Sequence, residues 1–355
     1  MNKKYYIIPI FVPNRGCPHN CIFCDQKKIT NETNEITPEF VEKQISLYLS
    51  TIDRKNSYVE LSFFGGSFTG IPLDYQNRLL KPAFNALNSN KIDDIRLSTR
   101  PDYIDEKILK NLKENKVGVI ELGVQSMDSE VLKLSERGHT SEDVIAASIL
   151  IKKFGFKLGL QMMVGLPGDN EEKDLYTADE IIKLKPDFVR IYPALVIKDT
   201  YMEYMYNNGL YKPLSVDDCI LICKKLYIKF MKNSIPIIRI GLQTTDNINV
   251  GKDVVSGPFH PAIRELIESS ILNDMVDYII NNDFSNDKNL LIKINPKNIS
   301  KLYAGSKKYF NNMVKKNNVS IKTIQEKSID INCILVSSPT KERKMSIYEY
   351  LNLVK

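Results

Sequence analysis

With 355 residues, the chain is long enough to bury a full hydrophobic core and to add a small domain to a large one. It has no apolar run long enough to cross a bilayer, which excludes a membrane-spanning helix in this sequence. The formal net charge of +6 is uneven, because residues 288–355 hold 14 Lys and Arg against 4 Asp and Glu, a net of +10 that leaves −4 on the remainder. A basic tail of this kind predicts an anionic partner, with nucleic acid first and a merely solvated lysine-rich surface as the alternative.

Residues 1–10 combine a basic start with an apolar run that contains a proline and leads towards a group of cysteines. We interpret this run as a first strand and not as an export signal.

Strand-like and helix-like segments alternate from there on. The apolar residues of the helix-like segments recur every three or four positions, as the buried face of a helix requires. The predicted strands are 5–12, 58–64, 95–98, 117–122, 157–163, 188–192 and 236–240. The predicted helices between them are 38–49, 75–87, 106–114, 141–154, 172–184 and 216–232.

This alternation predicts an α/β fold with a parallel sheet and crossover helices, and six or so units favour a partial (β/α) barrel over a doubly wound sheet. Unusual residues follow the carboxyl ends of five successive strands. They are the cysteines of segment 17–24, Gly65-Gly66-Ser67, Arg100-Pro101-Asp102, Gln125 and segment 165–169. In a (β/α) barrel these ends meet at one mouth, where active sites form.

Three cysteines lie within eight residues, Cys17, Cys21 and Cys24, in a C-x3-C-x2-C pattern. Three thiolates can hold three irons of a 4Fe–4S cluster and leave the fourth iron open, which suits a cluster that binds a substrate or cofactor. A zinc site completed by His19 is the alternative. A disulfide is disfavoured because the number is odd and no export signal is found, which predicts a cytosolic, reduced protein.

Several further motifs occur together in the first 215 residues. Two consecutive glycines at 65 and 66 let the backbone approach a ligand closely, although tight turns use such pairs equally. The chain resembles the radical S-adenosylmethionine (SAM) superfamily and, within it, the branch of the catalytic subunit of Elongator, over roughly residues 5–215. The motifs that carry this resemblance are Ser67-Phe68-Thr69, Thr99-Arg100-Pro101-Asp102-Tyr103, Arg137-Gly138-His139-Thr140 and 189–193 with Thr200. Segments 123–125 and 165–168 also resemble the related oxygen-independent coproporphyrinogen dehydrogenases.

The resemblance implies that Cys17, Cys21 and Cys24 hold a 4Fe–4S cluster. It implies that the open iron binds SAM and that SAM is cleaved to a 5′-deoxyadenosyl radical. It also implies that Arg137 lies near the SAM carboxylate and Gln125 near the ribose. The implied SAM contacts are, in full, Gly65, Gly66, Ser67, Gln125, Arg137 and Gln161. His139 is either a substrate contact or a helix cap.

Members of the Elongator branch modify the wobble uridine of tRNA and take the acetyl group from acetyl-CoA. Nothing after Ile240 resembles the glycine-rich loop that would bind the pyrophosphate of that donor, so acetyl transfer by these residues is not predicted.

We predict a radical SAM barrel over residues 1–250, a helical connector over 251–287 and a small basic α+β domain over 288–355. The last domain has the order strand, two helices joined by Gly305-Ser306-Lys307-Lys308, then strands at 319–324 and 330–336. This order resembles a KH-type RNA-binding fold, in which such a loop contacts the nucleic-acid backbone.

The sequence therefore predicts a cytoplasmic enzyme that cleaves SAM and acts on RNA, most specifically tRNA. We expect the basic domain to bind the RNA and a reductant such as flavodoxin or ferredoxin to supply electrons. Two alternatives stay open: a radical SAM enzyme acting on a small molecule such as a porphyrinogen, and an RNA-binding adaptor with a structural cluster.

Overall fold

The computed structural model describes residues 3–12, 21–25, 36–242, 248–249 and 251–354. The predicted ligand Cys17 and the alternative ligand His19 lie outside these ranges. The chain forms two compact units, Met1–Val216 with Ile235–Phe259, and Asp217–Ser234 with His260–Lys355. No helix in the described ranges combines the length and the apolar composition needed to cross a bilayer.

The first unit is built on a seven-stranded parallel sheet whose strands follow the order of the chain. They are β1 (Lys4–Val12), β2 (Ser57–Gly65), β3 (Asp94–Thr99), β4 (Val119–Gln125), β5 (Lys157–Val164), β6 (Phe188–Pro193) and, after a short strand β7 (Val196–Ile197), β8 (Ile237–Ile240). β7 pairs antiparallel with β9 (Val254–Ser256). Each crossover moves one place in the same direction, which distinguishes a partial barrel from a doubly wound sheet and confirms the predicted fold class.

Within the described ranges, seven helices accompany this sheet. They are α1 (Pro38–Leu49), α2 (Leu73–Asn88), α3 (Glu106–Glu114), α4 (Ser129–Leu134), α5 (Ser141–Lys153), α6 (Glu171–Leu184) and α7 (Tyr201–Asn207). Most begin at a Thr, Asp or Asn whose side chain accepts an amide hydrogen bond from the first turn, as a helix start requires. Helices α4 and α7 are not predicted from the sequence, because six or seven residues are too few to show a helical period.

Strand residues alternate between two faces of the sheet. One face carries fully buried apolar side chains such as Ile10, Phe63 and Leu122, and helices α1, α2, α5 and α6 pack on the strands. The opposite face, inside the half-barrel, carries a buried network of charged side chains.

Arg96 is the central member of this interior network. Its Nε lies 2.8 Å from Oε1 of Glu60 on β2, and its Nη1 lies 3.5 Å from Oε2 of Glu121 on β4. Nε of Arg190 on β6 lies 3.3 Å from the same Glu121 oxygen. Four strands are thus tied together by charges that water cannot screen.

The second unit combines five helices with a four-stranded sheet. The helices are α8 (Val216–Lys232), α9 (Ile263–Asp283), α10 (Ile299–Leu302), α11 (Lys308–Asn317) and α12 (Ile347–Leu353). The strands are β10 (Asn289–Ile294), β11 (Ser320–Gln325), β12 (Cys333–Ser337) and β13 (Glu342–Ser346), in the order β11-β10-β12-β13. β10 runs parallel to β11 and antiparallel to β12. The unit takes in helix α8, which the predicted bounds assign to the barrel domain.

The predicted order of a strand, two helices and further strands is confirmed in this unit, with β13 and α12 in addition. The predicted strand at 330–336 begins only at Cys333, because the side chain of Asp330 accepts the amide of Asn332 and turns the chain. Gly305, Ser306 and Lys307 all have positive φ, and α11 begins immediately after them. The KH-type function of this loop stays a prediction.

Replacing Arg96 with methionine should leave the carboxylate of Glu60 buried without its cation, while Glu121 keeps Arg190 as its one remaining partner in this network. We expect Arg96→Met to lower the free energy of unfolding by about 3–5 kcal/mol, measured by urea denaturation. The matched control is Arg78→Met, because the side chain of Arg78 is 59% exposed and pairs with the exposed Asp74 at 3.4 Å, a contact whose loss should cost at most about 1 kcal/mol. Equal stability of the two variants would contradict this assignment.

Candidate active site

The ends of β1 and β2 meet at the mouth of the half-barrel, which we define as the edge formed by the carboxyl ends of β1–β5. Gly66 N–H donates to the carbonyl oxygen of Val12, at 3.1 Å. Gly65 has φ +105°, and a Cβ atom there would lie 2.4 Å from the same oxygen. The two predicted glycines therefore form a turn that only glycine fits at its first position.

Ser67 follows this turn and is buried with Thr69 and Thr99. Its Oγ lies 2.8 Å from Oγ1 of Thr99 and accepts the backbone N–H of Arg100 at 3.2 Å. Thr99 Oγ1 also lies 2.6 Å from Oγ1 of Thr69. The three hydroxyls tie the segment after β2 to the end of β3.

The described part of the cysteine segment, residues 21–25, is held by two short helices. Ile22 N–H donates to the carbonyl of Ser135, which caps α4, at 3.3 Å, and its own carbonyl accepts the N–H of Met202 in α7 at 2.9 Å. Phe23 packs against the apolar cluster formed by Val131, Leu166, Ala194, Val196, Met202 and Tyr211. Neither helix is predicted from the sequence. For α7, the sequence signal that could have indicated its start is Thr200, whose side chain caps the helix.

Arg137 connects the cysteine segment to the end of β4. Its Nη1 donates to Sγ of Cys21 at 3.5 Å, and its Nη2 donates to the carbonyl of Gly123 at 2.8 Å. A Cβ at position 123 would lie 2.7 Å from Nη2, so the glycine in this strand permits the approach. The Nε of Arg137 is buried and has no hydrogen-bond partner among the described residues.

Gln125 is paired with Gln161 across β4 and β5. Gln161 Nε2 donates to Oε1 of Gln125 at 2.7 Å, and Gln125 Nε2 lies 3.3 Å from Oε1 of Gln161. Gln125 has φ +68°, in the left-handed region that a non-glycine residue rarely adopts. The structure thus brings these two predicted residues together as one amide pair.

The electrostatics of the mouth are set by buried charges. Arg100 donates from Nε and Nη2 to the two carboxylate oxygens of Asp102, both at 2.9 Å. Burial works to raise the pKa of Asp102, but the Arg100 guanidinium holds it below its usual value. Burial, together with the positive charges of Arg137 and Arg100, lowers the pKa of His139 to about 3.

The loop at 165–169 forms another wall of the mouth. Asp169 accepts the N–H of Gly165 at 3.1 Å, and Tyr211 Oη donates to the Gly165 carbonyl at 2.6 Å. Burial raises the pKa of Asp169. These bonds fix the loop geometry, as expected for a segment that shapes a ligand site through its backbone.

The described residues supply part of a donor set for an iron–sulfur cluster. Cys24 N–H donates to the Cys21 carbonyl at 3.0 Å, which brings the two residues into one turn. Within the described ranges no three metal-ligating side chains group together, and the third predicted cysteine lies outside them. A guanidinium donates best to a sulfur that carries negative charge, as a metal-bound thiolate does. The contact between Arg137 and Cys21 therefore fits a cluster ligand.

Two family profiles match consecutive parts of the chain. The profile of the radical SAM superfamily matches residues 11–181, and that of the radical SAM C-terminal domain matches residues 186–273. The chain belongs to the radical SAM superfamily. It is an enzyme by that membership, and the recognition made from its motifs is confirmed.

The similar proteins include the tRNA uridine(34) acetyltransferase of Methanocaldococcus jannaschii, which is 29% identical over 64% of this chain and 50% of its own length. The Elongator complex protein 3 of Dictyostelium discoideum is 31% identical over 47% of this chain and 34% of its own length. The chain thus spans about half the length of the curated relative from Methanocaldococcus jannaschii. The archaeal Methanocaldococcus infernus Elp3 structure has the same fold, with a TM-score of 0.60, 23% identity, and coverage of 78% of this chain and 64% of that one.

The Gly65 turn should be intolerant of a side chain. We expect Gly65→Ala to lower the free energy of unfolding by about 2–4 kcal/mol, because positive φ and a collision with a backbone oxygen act together. Gly209→Ala is the control for the backbone term alone, since Gly209 has φ +70° and a Cβ atom there would meet nothing within 4 Å; its cost should be about 1 kcal/mol. Urea denaturation measures both, and similar values would argue against the collision.

Proposed function

We propose that the chain is a radical SAM enzyme that cleaves SAM and modifies tRNA. Cys17, Cys21 and Cys24 would hold a 4Fe–4S cluster, and a second set of residues would hold SAM. This second set is Gly65, Gly66, Ser67, Gln125, Arg137 and Gln161. When bound, a reduced cluster supplies the electron that breaks a carbon–sulfur bond of SAM.

The observation that carries this proposal is the position of Arg137. One guanidinium contacts the sulfur of a predicted cluster ligand and the end of a central strand, and its buried Nε remains to be satisfied. A buried donor without an acceptor requires explanation in a folded protein. A carboxylate beside the cluster, such as that of SAM, supplies an acceptor of the right charge.

The other residues of the set would fix the position of the ligand without taking part in bond breaking. The turn at Gly65 and Gly66 presents backbone to the ligand, and the amide pair of Gln125 and Gln161 offers donors and acceptors to a ribose. Ser67 would support the turn, since its hydroxyl is bonded to Thr99.

A tRNA substrate is supported by two observations. The similar proteins include enzymes named for uridine in tRNA, although the chain spans only about half of the one from Methanocaldococcus jannaschii. The segment from 288 to 355 carries a net charge of +10, which favours a polyanionic partner. A cytoplasmic location and a flavodoxin or ferredoxin as reductant stay predictions.

The cluster is tested by anaerobic reconstitution of the full chain. We expect Cys21→Ser to lose the visible iron–sulfur absorption and to form no 5′-deoxyadenosine from SAM and dithionite, because a hydroxyl is a poor iron ligand. Cys333→Ser is the matched control, since Cys333 lies on β12 in the other unit; it should retain both signals. A protein that binds only zinc, or a cluster that does not respond to SAM, would refute the cofactor assignment.

The substrate is tested by mass spectrometry of nucleosides from tRNA of a strain in which the gene is deleted. We expect one modified uridine to be lost and to return with the wild-type gene but not with the Cys21→Ser gene. An unchanged nucleoside profile would rule out tRNA. A change in the porphyrins of the same strain would favour the small-molecule alternative instead.

A further inference from the structure

His139 is buried two residues after Arg137 and is only 4% exposed. Its Nε2 lies 3.1 Å from the carbonyl oxygen of Val124. Because a carbonyl only accepts, Nε2 carries the ring proton. The other ring nitrogen, Nδ1, has no hydrogen-bond partner among the described residues.

The carbonyl that His139 contacts belongs to an irregular end of β4. The pairing with β5 passes from Gly123 opposite Gln161 to Gln125 opposite Met162, so Val124 is an extra residue in the strand. Ser126 N–H donates to the Val124 carbonyl at 3.0 Å, two residues back. With φ +68° at the intervening Gln125, this bond closes a γ-turn of the rare, strained hand.

Such a turn at a non-glycine residue persists only where its surroundings hold it. His139 supplies that support, since it donates a second hydrogen bond to the same oxygen. Gly138 has φ +79°, so Arg137 and His139 can bond successive carbonyls, those of Gly123 and Val124.

We propose that His139 is a positioning residue whose Nε2–H holds the strained turn and thereby fixes where Gln125 presents its amide. The assignment of His139 to the turn stands on geometry alone. The consequence for SAM rests on the proposed function, because it requires Gln125 to contact SAM.

The charged side chains around His139 raise or lower the pKa of its ring. Arg137 and Arg100 oppose a positive ring, and Asp102 favours one, while the buried setting opposes it most. A ring that is held neutral keeps one donor for the turn and one unprotonated nitrogen at every pH in the physiological range.

The tautomer is tested by nitrogen NMR of the full chain with labelled histidine. The chain has only three histidines, so the signal lost in His139→Gln identifies the ring. We expect a proton on Nε2 and shifts that stay constant from pH 8 to pH 5. A ring that carries its proton on Nδ1 and not on Nε2 would overturn the assignment whatever the variants do.

The effect on the turn is tested by hydrogen exchange of the Ser126 amide. Exchange should be at least tenfold faster in His139→Leu, which cannot donate, and should return close to wild type in His139→Gln, whose amide N–H can replace the imidazole donor. Tyr75→Phe is the control, because it removes a buried bond to a carbonyl elsewhere, that of Ile36 at 2.6 Å. Unchanged exchange in a folded leucine variant would refute the positioning role.

The consequence for SAM is tested by the kinetics of 5′-deoxyadenosine formation. We expect the KM for SAM to rise about tenfold in His139→Leu, with a smaller change in kcat and unchanged iron content, and to recover in His139→Gln. A general loss of folding would instead lower kcat and iron content together in His139→Leu, and His139→Gln would not restore them. If the wild-type protein did not cleave SAM, the proposed function would fail while the NMR and exchange results still decided the role of His139.

Discussion

The guanidinium of Arg137 contacts the carbonyl of Gly123 and the sulfur of Cys21, and so bonds β4 to the segment that follows β1. It reaches both because position 123 has no side chain and because parallel pairing places the ends of β1–β5 at one edge. One proposed cluster ligand, Cys21, and one proposed SAM residue, Arg137, are therefore directly bonded. The amide of Gln125 lies beside the same glycine, since a Cβ at position 123 would be 2.9 Å from its Nε2.

Two kinds of support hold the mouth. Backbone bonds from α4 and α7 hold the segment after Cys21, as the contacts of Ile22 show. Side-chain bonds hold the ends of the strands, through Thr99 and through His139. The proposed site has little freedom to adapt, because the side chains of Ser67, Gln125 and Gln161 are already hydrogen-bonded within the protein, while Nε of Arg137 is left without a partner among the described residues. Preorganised groups of this kind lower the cost of fixing a ligand.

The sequence was sufficient for the partial barrel, because parallel strands and their helices have strong and different periods. It was also sufficient to predict the mouth as the candidate active site, since cysteines, glycines and polar residues follow the carboxyl ends of five strands. It could not reveal the left-handed turn at Gln125, because nothing in Gly-Val-Gln distinguishes a bulged strand from a regular one. Helix α7 was not predicted, because its seven residues are too few to show the periodicity of a helix. The ion pairs of Glu121 with Arg96 and Arg190 could not be predicted either. The alternation of side chains along a strand shows which face each residue lies on, but not which side chains of neighbouring strands are in contact.

Glu121 forms ion pairs with both Arg96 and Arg190, and Arg96 also pairs with Glu60. Loss of Arg96 alone leaves Glu60 buried without its cation, and loss of Glu121 alone leaves Arg190 without its carboxylate, whereas joint replacement of such a network by apolar side chains is often neutral. Substitution of one residue at a time is therefore disfavoured at Arg96 and at Glu121, each of which has two partners in the network. Homologous chains are expected to inherit the four as a block, or to exchange several of them at once.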